Sequence, residues 1–433
     1  MTGPKYTKLV AEYGRITDGQ LLRELTSLYM KDEKMSKFLK VQNSAAYFKH
    51  YVGTVQTEHF TVSIFPKVWA KSDLIQNDTI KNLLRILLYT YLTSSLFKPE
   101  TMISPQYEKN DLFELLILFY SKTLEKELNQ GMFRRYVRRD EESRYLRGKL
   151  ILEKQLNRPD KSVFDITDFR FSADNEMNRY FAYATNLFST FTQDLRNLDL
   201  LTSIELLFQS ELIANHTLPM NVSFNRLNDR FQIPYNYADL IIKHLRPEPG
   251  NGKRAMMMLF DMNTVFQEFF IKFIKKNKSV IFQDWEVMIC SQYKHRNFIF
   301  NQSRALRYTI PDLWIEVKKE NVIKRFILDM KYKIMRDIEI EETSEDSDDD
   351  IFRITQSDLY QMFTYSNLYE ADGTILVFPG NKNQIGGPYN FKKDGAMLWV
   401  CMLRLDFSKD TWEKDLAEEF REKVFNEIAR TIF

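Results

Sequence analysis

Cysteine, paired histidines and long apolar runs are all scarce in this sequence of 433 residues. The two cysteines, Cys290 and Cys401, stand in apolar surroundings, which argues against a disulfide framework and suits a reducing cytosol. None of the five histidines lies at metal-ligand spacing from another, so no zinc site is predicted. The N-terminal segment lacks the apolar core of a secretory signal, and the longest apolar runs carry charges and fall short of a membrane span. These absences predict a soluble, cytoplasmic protein.

Net charge is also nearly absent, because 61 Lys and Arg residues stand against 59 Asp and Glu residues. Such a balance creates no overall electrostatic field that would attract a polyanion. A surface that binds nucleic acid would therefore have to consist of local basic patches. The hydrophobic share of 44% and the 34 Phe residues predict large buried cores. The length of the chain predicts two or three domains.

Two local charge clusters stand out against this balance. The acidic run Arg336–Asp350 is typical of a solvated, flexible loop. A basic segment has two interpretations, a track for the DNA backbone or structural pairing with the neighbouring acids Asp140, Glu141 and Glu142. The interleaved acids favour pairing or partner docking. The arginines of this segment are Arg134, Arg135, Arg138, Arg139, Arg144 and Arg147.

Hydrophobic periodicity predicts a multidomain α/β (α+β) chain. A β-hairpin is expected with one strand ending near Val55 and the next in "FTVSIFPKVW". Helical patterns follow over 83–128, and residues 165–245 are predicted to be mostly helical. The three regions predicted are an N-terminal mixed α/β region (1–110), a mainly helical middle (111–250) and an α/β domain with a mixed central sheet flanked by helices (251–433).

Three finer features belong to this prediction. The segment "YLRGKLILEKQL" has a short strand-like core. Arg246–Ala255, with its Pro and Gly residues, is the clearest linker. A helix is predicted over Met258–Lys275, after that linker.

The segment "YTIPDLWIEVKKENVIKRFILDMKYK" predicts two strands joined by a turn near Glu320 and Asn321. With that turn, Asp312 lies directly across from Asp329. Because side chains alternate along a strand, Asp329 and Lys331 share one face at the edge of the core. The other face, which is apolar, consists of Phe326, Leu328, Met330 and Tyr332.

Two converging carboxylates form an oxygen site suited to Mg²⁺, which can activate water and stabilise charge on a phosphodiester. Lys331 could orient or deprotonate that water, or neutralise the phosphate. The alternative is an ion pair that caps a hairpin, and the spacing alone does not decide between them. Gln361 and Tyr365, four residues apart on the next helix, share a face that could contact phosphate or Lys331. They are equally compatible with the satisfied polar tips of a half-buried helix.

The chain combines, in this order, Pro311-Asp312, Asp329-x-Lys331 and Gln361-x-x-x-Tyr365. This combination resembles the PD-(D/E)xK nuclease superfamily. The surrounding segments "MLFDMNTVFQEFF", "ILDMKYK" and "DLYQMFTYS" resemble the McrC family, the nuclease subunits of McrBC-type restriction systems. The resemblance continues upstream in "YVGTVQTEHFTVSIFPKV", in the long segment that begins "FELLILFYSK" and in "FDITDFRFSADNEMNRYF". It covers roughly Tyr47 to Gly380.

This resemblance implies an Mg²⁺-dependent DNA endonuclease in which Asp312 and Asp329 are the metal ligands and Lys331 is the catalytic lysine. Gln361 and Tyr365 would then be supporting site residues.

One position departs from the family pattern. The family often has an acid where this chain has Gln267, and Glu268 comes next. Either Glu268 takes the part of that acid, or the site relies on two acids and Glu268 is a solvated helix residue.

The resemblance also implies partners. These are a McrB-like hexameric AAA+ GTPase, docked by residues 1–250, and double-stranded, modified DNA. No complete nucleotide-binding loop occurs in the sequence, since "GNGKR" lacks the earlier glycine and the following Ser or Thr. Two alternatives stay open: an assembly subunit with an inactive nuclease fold that activates an AAA+ partner, and a stand-alone nuclease.

Overall fold

A computed structural model describes most of the chain. The residues that it describes are 6–31, 33–69, 76–92, 111–211, 222–247, 255–293, 296–301, 304–333, 335, 354–380, 382–391 and 395–432. The acidic run Arg336–Asp350 and most of the linker, residues 248–254, lie outside these ranges.

The described residues form a mixed α/β fold, as the periodicity predicts. The strands are β1 (Tyr6–Ala11), β2 (Leu39–Gln42), β3 (Ala45–Phe48), β4 (Tyr51–Gln56), β5 (Phe60–Phe65), β6 (Arg135–Ser143), β7 (Lys149–Leu150), β8 (Phe164–Ser172), β9 (Leu245–Pro247), β10 (Met256–Asp261), β11 (Glu286–Ser291), β12 (Arg296–Asn301), β13 (Arg304–Thr309), β14 (Leu313–Lys319), β15 (Val322–Met330), β16 (Gly373–Gly380), β17 (Gln384–Asn390) and β18 (Met397–Arg404). The expected hairpin corresponds to β4 and β5.

Helices separate these strands. They are α1 (Gly19–Lys31), α2 (Gln76–Tyr91), α3 (Leu112–Asn129), α4 (Leu152–Asn157), α5 (Glu176–Phe191), α6 (Leu195–Ser210), α7 (Gln232–His244), α8 (Met262–Lys276), α9 (Lys278–Phe282), α10 (Gln356–Leu368), α11 (Trp412–Phe420) and α12 (Asn426–Ile432). None of those in the described ranges combines the length and the apolar character that crossing a membrane requires.

The strands of the described ranges form sheets of different sizes. The sheet orders are β1-β5-β4-β10-β9, β11-β14-β15-β16-β18-β17 and β6-β8-β7, with the pairs β12-β13 and β2-β3. In the six-stranded sheet, β15, β16 and β18 run parallel, whereas β11, β14 and β17 pair antiparallel with their neighbours. This sheet is therefore mixed, as the sequence predicts for the C-terminal region.

Backbone contacts divide the chain into two compact units, and neither is continuous in sequence. Unit 1 comprises Met1–Tyr6, Thr54–Thr61 and Ser94–Met258, and unit 2 comprises Thr7–Gly53, Val62–Thr93 and Leu259–Phe433. The division into three continuous regions, 1–110, 111–250 and 251–433, stays a prediction.

Helix α3 lies at the centre of unit 1, against α6 and α7. Its sequence is apolar on almost every side, with Phe113, Leu116 and Phe119 fully buried, and this composition is typical of a helix enclosed by others. The Tyr120 hydroxyl donates a hydrogen bond to the carbonyl of Phe181, 3.0 Å away on α5. The helical core predicted for this part of the chain is therefore observed.

Two carboxylates are enclosed at the start of α3. Asp111 caps the helix by accepting a hydrogen bond from the Glu114 N–H (3.0 Å), and it faces the Thr54 hydroxyl. Burial, with the charge of Glu114, raises the pKa of Asp111 to about 7. Burial likewise raises the pKa of Glu114, whose carboxylate accepts a hydrogen bond from the Thr192 hydroxyl.

We expect Asp111→Asn to reduce the pH dependence of stability. Since the folded-state pKa of Asp111 lies above the unfolded value, its stabilising contribution is present at low pH and is lost as the pH rises towards 7. Asparagine still caps the helix but has no proton to lose. Between pH 5 and pH 8, the melting temperature of the variant should fall by about 3–6 °C less than that of the wild type. Thermal melts at both pH values measure this drop.

A matched control for this experiment is Asp160→Asn. Asp160 is exposed and its pKa is lowered by hydrogen bonds from Ser162, so it does not titrate between pH 5 and pH 8. An Asp111→Asn drop equal to that of the wild type would show that Asp111 is already ionised at pH 5.

The three-stranded sheet of unit 1 corrects one prediction and confirms another, the short strand in "YLRGKLILEKQL". Residues 164–172, expected within a mostly helical stretch, form β8, because "FDITDFRFS" alternates apolar and polar residues with the period of a strand. In "YLRGKLILEKQL" only β7 is a strand, and helix α4 follows it. The start of one helix also differs from its prediction. The helix predicted from Met258 begins at Met262, where the Asp261 carboxylate caps α8 by accepting a hydrogen bond from the Asn263 N–H.

The basic segment lies on β6 and in the turn after it, and most of its arginines face carboxylates. Guanidinium groups lie within ion-pair distance of acids for Arg134, Arg135, Arg138, Arg139 and Arg147. Such exposed pairs each add little to stability. They nevertheless neutralise the segment, which favours the pairing interpretation over a DNA track.

Unit 2 is built around the six-stranded sheet, and helices cover both of its faces. One face presents Trp314, Ile327 and Leu376 to Met362 and Tyr365 of α10. The other presents Phe326 and Leu328 to an apolar cluster that includes Phe420 and Phe425 near the C-terminus. The Asp329 side of β15 was predicted at the edge of the core. It is instead buried, because β16 pairs beside β15 and α10 lies over it.

Segments from the N-terminal part of the sequence complete unit 2. The Tyr332 hydroxyl, two residues after β15, donates a hydrogen bond to Glu12 Oε2 (3.2 Å). Lys67 Nζ lies 4.7 Å from the centre of the Tyr332 ring, within the range of a cation–π contact. Burial raises the pKa of Glu12 to about 8, although Lys67 partly offsets this effect.

Candidate active site

The register of the β14–β15 hairpin is the one predicted from the sequence. Leu313 pairs with Leu328, Lys319 pairs with Val322, and Glu320 occupies the turn with a φ of 53°. Asp312, which directly precedes β14, therefore meets Asp329 near the end of β15. Because β15, β16 and β18 are parallel, both acids lie at the carboxyl end of these strands, the edge where α/β sheets commonly bind ligands.

Asp312 is held by hydrogen bonds to both carboxylate oxygens. The backbone N–H of Met330 donates to Oδ2 at 2.9 Å, and the side-chain amide of Gln267 donates to Oδ1. Burial, with the neighbouring charge of Asp329, raises the pKa of Asp312 to about 7. The Asp329 carboxylate is thus close enough to disfavour the ionisation of Asp312.

Asp329 is 1% exposed and is the most enclosed acid of the site. Its Oδ1 faces the Gln361 amide at 3.4 Å, and its Oδ2 lies 2.8 Å from Lys331 Nζ. Among the described residues, that Oδ2 accepts no hydrogen bond of good geometry despite the nearby amine. Burial raises the pKa of Asp329, and Lys331 only partly counteracts the effect.

Lys331 is fixed by its backbone and by α10. Its N–H donates to the carbonyl of Val377 on β16 (2.9 Å), and its Nζ donates to Gln361 Oε1 (2.8 Å). Burial alone would lower the pKa of Lys331, but the Asp329 carboxylate outweighs it and the pKa is raised. The amine is therefore a cation in this arrangement.

Gln361 and Tyr365 connect the lysine to the start of the hairpin. The Gln361 amide donates to the Tyr365 hydroxyl (2.8 Å), which in turn donates to the carbonyl of Ile310 (2.9 Å). Both side chains thus contact the cluster from one face of α10, as the four-residue spacing predicts. Burial, with the charge of Asp329, raises the pKa of Tyr365.

A second ion pair next to the site escaped prediction. Lys333 Nζ lies 2.7 Å from Asp358 Oδ2, and the Asp358 side chain is buried at the start of α10. Both charges act on the pKa of Asp329. A signal exists in the sequence: Thr355-x-x-Asp358 forms a capping box, and Lys333 follows Lys331 by two residues.

Gln267, rather than Glu268, contacts the acids. The Gln267 amide donates directly to Asp312, whereas Glu268 is half-buried and, within the described ranges, forms neither a hydrogen bond nor an ion pair. Its charge is the smallest of those that raise the pKa of Asp312. The glutamine therefore occupies the position at which the family often has an acid.

The donor set suits a magnesium ion. In the part of the chain that the structure describes, no group of three or more His, Cys, Asp and Glu side chains converges. Asp312, which is half-buried, and Asp329, which is buried, nevertheless both have raised pKa values, and among the described residues Asp329 Oδ2 has an ion pair with Lys331 but no hydrogen bond. A divalent cation would offset this charge, and Mg²⁺ is commonly held by one or two carboxylates with waters and substrate phosphates.

Comparisons with known proteins identify relatives of this chain. Residues 46–379 match the family model of the McrBC 5-methylcytosine restriction system component. Among solved structures, a chain of the assembly of Thermococcus gammatolerans McrB AAA+ hexamers with bound McrC shares the fold, with a TM-score of 0.65 and 19% identity over 98% of this chain and 100% of that chain.

A second structure, the Thermococcus gammatolerans McrBC complex, overlaps more loosely, with a TM-score of 0.48 and 22% identity over 63% of this chain and 88% of that chain. No curated protein matches the sequence. Since the family model spans most of the chain, the protein belongs to the family of McrBC 5-methylcytosine restriction system components.

Proposed function

We propose that this protein is the Mg²⁺-dependent DNA endonuclease subunit of a McrBC-like, GTP-driven restriction complex, with a PD-(D/E)xK nuclease domain in its C-terminal region. One observation carries the proposal. Asp312, Asp329 and Lys331 meet at the carboxyl end of β15, and Gln361 holds the lysine against the acids. Paired carboxylates beside a fixed cation suit the hydrolysis of a phosphodiester bond.

Each residue of the cluster has a role in this proposal. Asp312 and Asp329 hold Mg²⁺, and Gln267 keeps Asp312 in place through its amide. When bound, Mg²⁺ supplies a Lewis acid that lowers the pKa of water and stabilises negative charge on a phosphate. Lys331, which lies 2.8 Å from Asp329 and donates a hydrogen bond to Gln361, would orient or help to deprotonate the attacking water, or would neutralise the phosphate. Tyr365 orients Gln361, which orients the lysine.

Partners follow from the family. The Thermococcus gammatolerans assembly contains McrB AAA+ hexamers with bound McrC. We propose a hexameric AAA+ GTPase as the partner of this chain, docked by residues 1–250, and double-stranded DNA, in modified form, as the substrate. The two free thiols, Cys290 and Cys401, are compatible with activity in the cytoplasm.

A reconstituted cleavage assay tests the proposal. Purified protein, a McrB-like AAA+ GTPase and methylated plasmid DNA are incubated with Mg²⁺ and GTP, and each component is then withheld in turn. We expect linear or fragmented DNA only when all components are present. Faster GTP hydrolysis without cleavage would instead support the inactive assembly subunit, to which Gln267 points. Cleavage without nucleotide or partner would identify a stand-alone nuclease.

A further inference from the structure

The hairpin formed by β12 and β13 leads directly into the candidate active site. Arg296 pairs with Thr309 at its base, and Ile310 and Pro311 then connect it to Asp312. The Tyr369 hydroxyl donates to the carbonyl of Thr309 at 2.7 Å. The Tyr365 hydroxyl bonds the next carbonyl, so the base of the hairpin is fixed beside the helix that carries Gln361.

Two exposed arginines lie on one face of this hairpin. Arg296 is directly across from Thr309, and Arg307 precedes Thr309 by two residues on the same strand. Since side chains alternate along a strand, both arginines are on the face of Thr309. The Arg296 guanidinium lies 6.0 Å from the centre of the Tyr369 ring, at the limit of a cation–π contact.

These arginines differ from those of the basic segment on β6. Among the described residues, neither Arg296 nor Arg307 forms an ion pair with a carboxylate, whereas Arg135, Arg138 and Arg139 each do. A guanidinium that no carboxylate of the described residues pairs with keeps its charge for an external anion. Its planar donors match phosphate, and it loses little hydration on binding.

We propose that the β12–β13 hairpin binds the phosphate backbone of double-stranded DNA through Arg296 and Arg307. The proposal rests on the endonuclease function and identifies how substrate is held beside the acids. Arg307 precedes Asp312 by five residues, so their Cα atoms are at most about 18 Å apart. One DNA strand has a phosphate about every 3.4 Å of helix axis, so the hairpin reaches phosphates within about five nucleotides of the bond to be cut.

Such contacts position DNA without reading its sequence. They would also provide the local basic patch that a chain of net charge +2 requires in order to bind DNA.

The salt dependence of DNA binding tests this proposal. Fluorescence anisotropy of a labelled 30-base-pair duplex, in EDTA so that no cleavage occurs, gives the affinity of the full chain from 50 to 200 mM salt. We expect Arg296→Ala with Arg307→Ala to reduce the slope of log K against log[salt] by about 1.8, since each phosphate contact contributes about 0.9. Between 50 and 200 mM salt, the factor by which the wild type loses affinity should therefore be about 12 times the factor for the double variant.

Two further variants make the result specific. Arg296→Lys with Arg307→Lys keeps both charges and should retain the slope of the wild type. Lys318→Ala removes an exposed cation that is already paired with Glu286 (3.0 Å) near the far end of β14, and it should change nothing. Circular dichroism verifies that each variant is folded.

The outcomes separate this proposal from the proposed function. The hairpin proposal is overturned if the double alanine variant has the slope of the wild type. It is also overturned if the wild type does not bind the duplex. Both outcomes hold even where the complex cleaves DNA. A reduced slope supports the hairpin as a DNA-binding element, even if the wild type fails to cleave in every condition and the endonuclease function is thereby rejected.

Discussion

We expect Asp329→Asn to reduce the rate of DNA cleavage by about 1,000-fold, which corresponds to about 4 kcal/mol of lost transition-state stabilisation. The substitution keeps the shape of the side chain and an oxygen for the Gln361 amide, but removes the charge that would hold Mg²⁺. Isothermal titration should show weaker Mg²⁺ binding by the variant. Cleavage is measured with the AAA+ partner, Mg²⁺ and GTP.

The control for this experiment is Asp284→Asn, which removes an exposed carboxylate outside the site. It should leave both cleavage and Mg²⁺ binding at the level of the wild type. Wild-type cleavage by a folded Asp329→Asn variant would reject the assignment of the active site.

Lys331→Ala should also reduce the rate of cleavage, by about 100- to 1,000-fold. It should strengthen Mg²⁺ binding, however, whereas Asp329→Asn should weaken it. The ammonium lies 2.8 Å from Asp329 Oδ2, where it competes with any cation for that oxygen. Without this ammonium, we expect the two carboxylates to bind Mg²⁺ with about tenfold higher affinity, because a competing positive charge is removed from a partly buried site. Titration calorimetry and the cleavage assay together give both quantities.

Lys331→Arg serves as the matched variant, because it keeps the charge while changing the geometry at Gln361. It should bind Mg²⁺ with nearly the wild-type affinity. If Lys331→Ala weakened Mg²⁺ binding as much as Asp329→Asn does, the lysine would be a structural support of the acids rather than a group that acts on the phosphate.

The hairpin of the site could be predicted from sequence because its information is local. The turn at Glu320 and Asn321 sets the register, and the register alone brings Asp312 to Asp329. Spacing on α10 likewise predicts that Gln361 and Tyr365 share a face. These contacts depend on a few residues near each other in the chain, where strand and helix periods apply directly.

Long-range packing explains most of what could not be predicted. The contact between Gln267 and Asp312 joins residues 45 positions apart, and no local pattern specifies which of Gln267 and Glu268 points to the acid. The burial of Asp329 depends on β16 and α10, which lie further along the chain. β8 lies at the start of a stretch predicted to be mostly helical from the amphipathic patterns further along it, whereas its own alternation and its pairing with β6 make it a strand.

Unit 2 is assembled from separate parts of the sequence, and this limits how domains could be exchanged between related proteins. A C-terminal fragment that starts near Leu259 would leave Tyr332, next to the candidate catalytic lysine, without Glu12 and Lys67. A chimera that transplants only this fragment would therefore expose a surface that native residues cover. A transplanted unit 2 would keep these contacts only if residues 7–53 and 62–93 accompanied the C-terminal fragment.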